Sequence, residues 1–319
     1  MRSPLLFSAP LAGLLLFAGP AAAEVAVVAS IKPVHALTAA VMQGAGTPHL
    51  IVQGGASPHS MSLKPSDARA LQEAGVVVWV GEGLEAFLVS PLQSLAGKAR
   101  VVELSEAAGL TRLPYRAGGA WADHDDHDEE HEEHAHEDEH EHAHEEGIDM
   151  HLWLDPANAK AMVAAIAEAL IAADPDNSGI YTANARIMEH RLDQLAQEIA
   201  HDLGPVKDVP FVVFHDAFQY LDTAFGLNNV GSITVNPEQP PGAARLSEIH
   251  GKIAELQARC VFAEPQFEPR LVQVVIEGTA AKTATLDPLG AAIPDGPDLY
   301  FTMMRENAAS LKACLGEAS

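Results

Sequence analysis

The chain has 319 residues, 48% of them hydrophobic, and a formal charge of −25 from 44 acids against 19 bases. That balance excludes a nucleic-acid partner, which needs clustered Lys and Arg to meet phosphate, while the apolar share is enough to fill the cores of two domains. Much of the charge is local: residues 123–146 hold fourteen of the acids and no base, so the rest of the chain carries −11.

In chain order, Arg2, the apolar run Leu11–Phe17 and Ala21-Ala22-Ala23 read as an export signal, with cleavage near Ala23. The run is shorter than the roughly 20 residues that span a bilayer, and no cysteine near it offers a lipid attachment point. A soluble, periplasmic chain beginning near Glu24 is expected. Strands are then predicted at Val25–Ala29, His49–Val52, Val76–Val80 and Val101–Leu104, with helices at Pro33–Met42, Pro65–Ala74 and Leu84–Leu95 between them. Such alternation implies βαβ units and a parallel sheet.

Residues 116–148 break the pattern. With no hydrophobic period they cannot offset their ordering entropy, and disorder is expected. Asp155-Pro156 and Asp174-Pro175 then each read as an N-cap followed by proline at a helix start. Along Ser178–Leu203, Tyr181, Ala185, Met188, Leu192, Leu195 and Ile199 form one apolar stripe on a helix of ~39 Å. It reads as a stiff connector between two halves, an ordinary packing helix being the alternative. Strands at Phe211–Phe214, Val230–Ile233, Val261–Ala263 and Thr283–Leu286 follow, alternating with helices at Ala217–Phe225, Gly242–Gln257 and Pro269–Ala280. A helix at Leu299–Leu315 ends the chain. The predicted fold is thus α/β, with two parallel four-stranded lobes over residues 24–177 and 204–319 joined by a rigid helix over 178–203.

Eight of the sixteen histidines crowd the acidic run: His124, His127, His131, His134, His136, His140, His142 and His144. Imidazole is the commonest ligand for zinc-like ions and the carboxylates concentrate cations, so several weak, interchangeable metal sites are expected; a merely solvated loop is the alternative. His136–His140 spells HExxH, but a zinc protease needs that motif on a packed helix, and here every neighbour is charged or Ala. Gly81-Glu82-Gly83-Leu84-Glu85-Ala86, with Glu103 beyond, matches a dinucleotide fingerprint in outline, although it follows the third strand. Cys260 and Cys314 are the only cysteines, and an oxidising compartment favours joining them, with two free buried thiols as the alternative.

Quieter residues sit where α/β sheets place ligands, at strand ends or just after them. These are His59 in a Gly/Pro/Ser loop, His151 in DMHLWLDP, His215 at the end of FVVFH and Asp287 at the end of TATLD. His190, His201 and His250 fall in helical stretches and read as surface. Here the chain resembles a family. The strings SPHSMSLKPSD, DMHLWLDPANA, FHDAFQYL, PEQPPGAARLSEI, FAEPQF and TLDPLG are similar to those of the zinc-specific solute-binding proteins of bacterial ABC importers, the ZnuA type. The resemblance runs over nearly the whole mature chain. It implies two lobes with the ion in the cleft between them, and a His/acid insertion of variable length. It also implies zinc ligation by His59, His151 and His215, and a Cys260–Cys314 disulfide in the C-terminal lobe. Asp287 matches an acidic position that binds metal in manganese relatives. Some zinc members carry an acid just before the first histidine where this chain has Pro58, which leaves the fourth position between Asp287 and water. Three imidazoles and one oxygen suit tetrahedral Zn²⁺; manganese relatives carry a carboxylate where His215 stands, and harder oxygen suits that ion.

The expected function is therefore a monomeric, high-affinity periplasmic zinc receptor and not an enzyme, loading a membrane permease driven by an ATPase. The rival from another class is an exported zinc hydrolase, since three histidines with an open position also describe a catalytic zinc. It would need a general base, for which Asp287 or Glu238 is the available nominee. A zinc-dependent adhesin on the same scaffold would need surface retention that this leader does not provide.

Overall fold

The computed structural model describes residues 25–116, 147–234, 241–267 and 270–316. The export segment, the eight clustered histidines with their HExxH string, and Glu238 lie outside them. The first half runs β1 (Val27–Ala29), α1 (Lys32–Val41), β2 (His49–Leu50), α2 (Pro65–Glu73), β3 (Val76–Trp79), α3 (Ala86–Leu95) and β4 (Arg100–Glu103). Two helices follow, α4 (Pro156–Ala173) and α5 (Ser178–Leu203). The second half is β5 (Phe211–His215), α6 (Gln219–Phe225), β6 (Asn229–Thr234), α7 (Ala243–Glu255), β7 (Cys260–Ala263), α8 (Arg270–Ile276), β8 (Lys282–Thr285) and α9 (Leu299–Gly316).

Each half forms one four-stranded sheet, ordered β2-β1-β3-β4 and β6-β5-β7-β8, and every pairing is parallel. The two orders are the same topology used twice. β1 and β3 are buried along their whole length, which is why they read as unbroken Val runs and not as alternating ones. In β5 the period of two survives as a division of labour. Phe211 and Val213 join the main apolar cluster, whereas Val212 and Phe214 face a smaller one with Ile249 and Val272.

The stripe predicted for α5 is buried as expected, with Leu203 added. Helix α5 packs on α4, α1 and α9, so the main apolar cluster is continuous from the first sheet to the second. Helix α4 is capped as predicted: Asp155 accepts from the Ala157 N–H at 2.8 Å, with Pro156 behind it. Polar contacts also bridge the halves. Lys32 on α1 donates to the carbonyls of Ala291 and Ile293, at 3.1 and 2.7 Å, and the Trp153 indole N–H donates to the Pro288 carbonyl at 2.7 Å. Cys260 and Cys314 are joined, tying β7 to α9.

Several helices are shorter than predicted, two of them for identifiable reasons. Helix α8 stops at Ile276 because the chain turns through Gly278 at φ +77°, a left-handed conformation that glycine adopts without strain. Helix α3 begins at Ala86 because Glu85 folds back, its carboxylate accepting the Val80 and Gly81 N–H groups at 2.9 and 3.0 Å. This contact also answers the glycine fingerprint: the chain's own carboxylate takes two of the amides that a phosphate would use. A side chain at Gly81 would also meet Met150, Glu103 and Ser105 within 2.8 Å, so that glycine serves internal packing. Full burial pushes the Glu85 carboxyl up to about 7.

Candidate metal centre

His59, His151 and His215 come together. One ring nitrogen from each lies within 4.8 Å of the other two, and the ring centroids are 4.9 to 5.6 Å apart. Each ring arrives from a different kind of element. His215 is the last residue of β5, so the parallel sheet itself aims it at the carboxyl edge where such folds bind ligands. His151 precedes a single 3-10 turn, Leu152–Leu154, whose three residues are all buried. His59 sits in the loop between β2 and α2 behind buried Pro58, and is the only half-exposed member of the three. The three residues are 64 to 156 positions apart in sequence, and the fold alone brings their rings together.

The space between the rings is about 10 Å³, walled by Ser57, Pro58, Trp153, Phe267, Pro288 and Leu289. That is the room of one water-sized sphere. It is the scale of a single ion.

The second layer is acidic. Asp149 Oδ1 accepts both the backbone N–H of His151, at 3.0 Å, and its Nδ1–H, at 2.8 Å, which leaves Nε2 of that ring as the atom with a lone pair to offer. Burial pushes the His151 imidazole down to about 3, so the ring is neutral at pH 7, and the Asp149 hydrogen bond fixes its orientation. Sequence reasoning missed Asp149, although its i, i+2 spacing from His151 in DMH was a usable signal. It also missed Glu264, which follows β7 and lines the same cavity; burial raises its carboxyl well above the usual range.

Asp287 does not join the three imidazoles. Its Oδ1 accepts from Leu289 N, Gly290 N and Gln266 Nε2, at 2.9 to 3.0 Å, and its Oδ2 accepts from Ala291 N at 2.6 Å. The acid at the end of the last strand closes its own turn, as short acidic side chains do. In this geometry both of its oxygens are engaged within the C-terminal half. The roots of the His/acid insertion, by contrast, are anchored beside the cluster. Pro114 and Ile148 bridge antiparallel, Tyr220 bonds both Leu113 N and Asp149 O, and Arg116 reaches Asp216 and Asp222 at 3.2 and 2.8 Å. Of the remaining histidines, His190 and His201 are exposed as expected, but His250 is only half-exposed and bonds the Val275 carbonyl. His35 is a buried structural residue on the Pro48 carbonyl.

Comparison with known proteins bears on this site. Residues 27–314 match the family described as zinc-uptake complex component A, periplasmic. The high-affinity zinc uptake system protein ZnuA of Brucella suis is 49% identical over 306 residues, covering 91% of this chain and 92% of that protein. Its counterpart in Yersinia pestis is 38% identical, covering 96% of each. Among solved structures, the laminin-binding protein Lmb of Streptococcus agalactiae superposes with a TM-score of 0.73 at 29% identity, over 91% of this chain and 99% of that one. That protein is described as bifunctional, with adhesin and metal-transporting activity.

Proposed function

The chain belongs to the family of the periplasmic zinc-uptake complex component A, and from that premise we propose that it captures Zn²⁺ between His59, His151 and His215. Water takes the fourth position, since the carboxylate of Asp287 is engaged by its own turn. The loaded protein, exported by its leader and working as a monomer, delivers the ion to the permease of an ATPase-driven importer. The family is one of solute-binding receptors and not of enzymes.

One observation carries the reading. Three imidazoles from distant parts of the chain converge on a space that fits a single ion. Three neutral nitrogens and one oxygen are a tetrahedral set for zinc. A hydrolase would need, beside the same three rings, a cavity for its substrate, and among the described residues the space between the rings is about 10 Å³. Because the ligands come from both halves, an ion held between them restrains their relative motion, and that difference is what a permease can read.

The histidines of the acidic run collect further zinc more weakly. Calorimetric titration with zinc separates the two kinds of site. A variant lacking residues 123–146 is expected to keep one tight ion and to lose several weak ones. Loss of the tight ion in that variant would move the principal site into the run, and an unchanged stoichiometry would deny the run any metal role.

A further inference from the structure

Glu264 has no place in the reading so far, and its position asks for one. The β5–β7 register sets Val213 beside Phe262, so the residue after β7 arrives level with the end of β5. The Glu264 side chain is 2% exposed, and its Oε2 stands 3.6 Å from His215 Nδ1, just outside hydrogen-bonding range. The carboxyl also accepts the backbone N–H of His215. Its other oxygen, Oε1, is buried without a hydrogen-bond partner. A buried carboxyl with one oxygen unpartnered is costly.

The same arrangement exists on the opposite side of the cluster. Asp149 holds His151 at two points, backbone N–H and ring Nδ1. Glu264 holds the backbone N–H of His215 and faces its ring Nδ1. Glu264 lines the same cavity but is not in the group whose ligand atoms lie within 4.8 Å of one another, and its Oε2 faces Nδ1 of the His215 ring. We propose that Glu264 is a positioning residue for the metal, holding His215 by Nδ1–H in the tautomer that presents Nε2 to the ion, as Asp149 does for His151. The role needs only an acceptor oxygen, which a carboxyl offers in either protonation state. It rests on His215 being a zinc ligand.

The test compares Glu264→Gln, which keeps an acceptor oxygen, with Glu264→Ala, which does not, in the mature chain titrated with zinc against a competing chelator. Glu264→Ala is expected to bind zinc about 10- to 100-fold more weakly, the usual cost of removing such a partner, and Glu264→Gln to recover most of that loss. Nitrogen-15 spectra of the zinc-loaded protein are expected to show His215 protonated at Nδ1 in the wild type and in Glu264→Gln. Should Glu264→Ala fail to fold, the glutamine variant and the nitrogen-15 spectra decide alone. Wild-type affinity in Glu264→Ala, failure of glutamine to restore it, or a His215 ring bound through Nδ1 each overturns the role. His215→Ala, run alongside, separates the two failures: if it too binds normally, the site assignment has fallen, and if it alone is impaired, only the role of Glu264 has.

Discussion

Replacing His215 with alanine is expected to weaken zinc binding by more than about a hundredfold, the upper end of what losing a mere second-layer partner costs. The reason is the small number of ligands. In the proposed site three nitrogens and one water share the work, and two nitrogens with added water do not reproduce a structured tetrahedral set. His215 is 3% exposed and terminates a strand buried from Phe211 onwards, so the remaining groups cannot relax toward the ion. The fold itself should persist, because β5 is held by pairing on both edges and by Phe211 and Val213 in the main cluster. Competition with a chelator of known affinity reads the change, and an apo melting curve close to wild type shows that folding was spared. Unaltered affinity in that variant would take the cleft out of the account.

Removing the disulfide by replacing both Cys260 and Cys314 with alanine is expected to cost about 4 kcal/mol of stability. The two residues are 54 apart in sequence, and opening a loop of that size restores a corresponding entropy to the unfolded chain. For a chain of this length the melting midpoint should fall by roughly 6 °C. Alanine is the informative choice because Cys260 is fully buried, where a serine hydroxyl would add a desolvation cost of its own. Zinc affinity should change little, since the bond lies at the amino end of β7 while the cluster lies at the carboxyl end. A midpoint equal to that of the wild type would show that packing of α9 on β8 and α5 already holds the C-terminal half without it.

The order of strands and helices could be read from the chain because burial dictates composition. Sheets covered on both faces demand runs such as VVVW at Val76–Trp79, and a helix wedged between neighbours demands the stripe from Tyr181 to Ile199. The three histidines could be found for a related reason: strand ends and the loops after them are where parallel sheets expose chemistry. Asp287 shows the limit of that rule. A strand-end acid followed by Pro-Leu-Gly is as well suited to accept its own turn's N–H groups as to bind metal, and only coordinates separate the two. Glu264 shows the other limit. Its neighbour His215 is 49 positions away, and strand register alone makes them adjacent. No spacing rule reaches that far. Helix ends were misjudged where a single residue intervened, the carboxylate of Glu85 at one helix and Gly278 at another.

Crystals of the zinc-loaded chain, with anomalous scattering recorded on either side of the zinc edge, place the ion without reference to any assumed ligand. The strongest peak should lie among His59, His151 and His215, with three nitrogens at about 2.0–2.1 Å and an oxygen completing the tetrahedron. A strongest peak bound by other side chains, with these three rings uncoordinated, would contradict the assignment on which the proposed function depends.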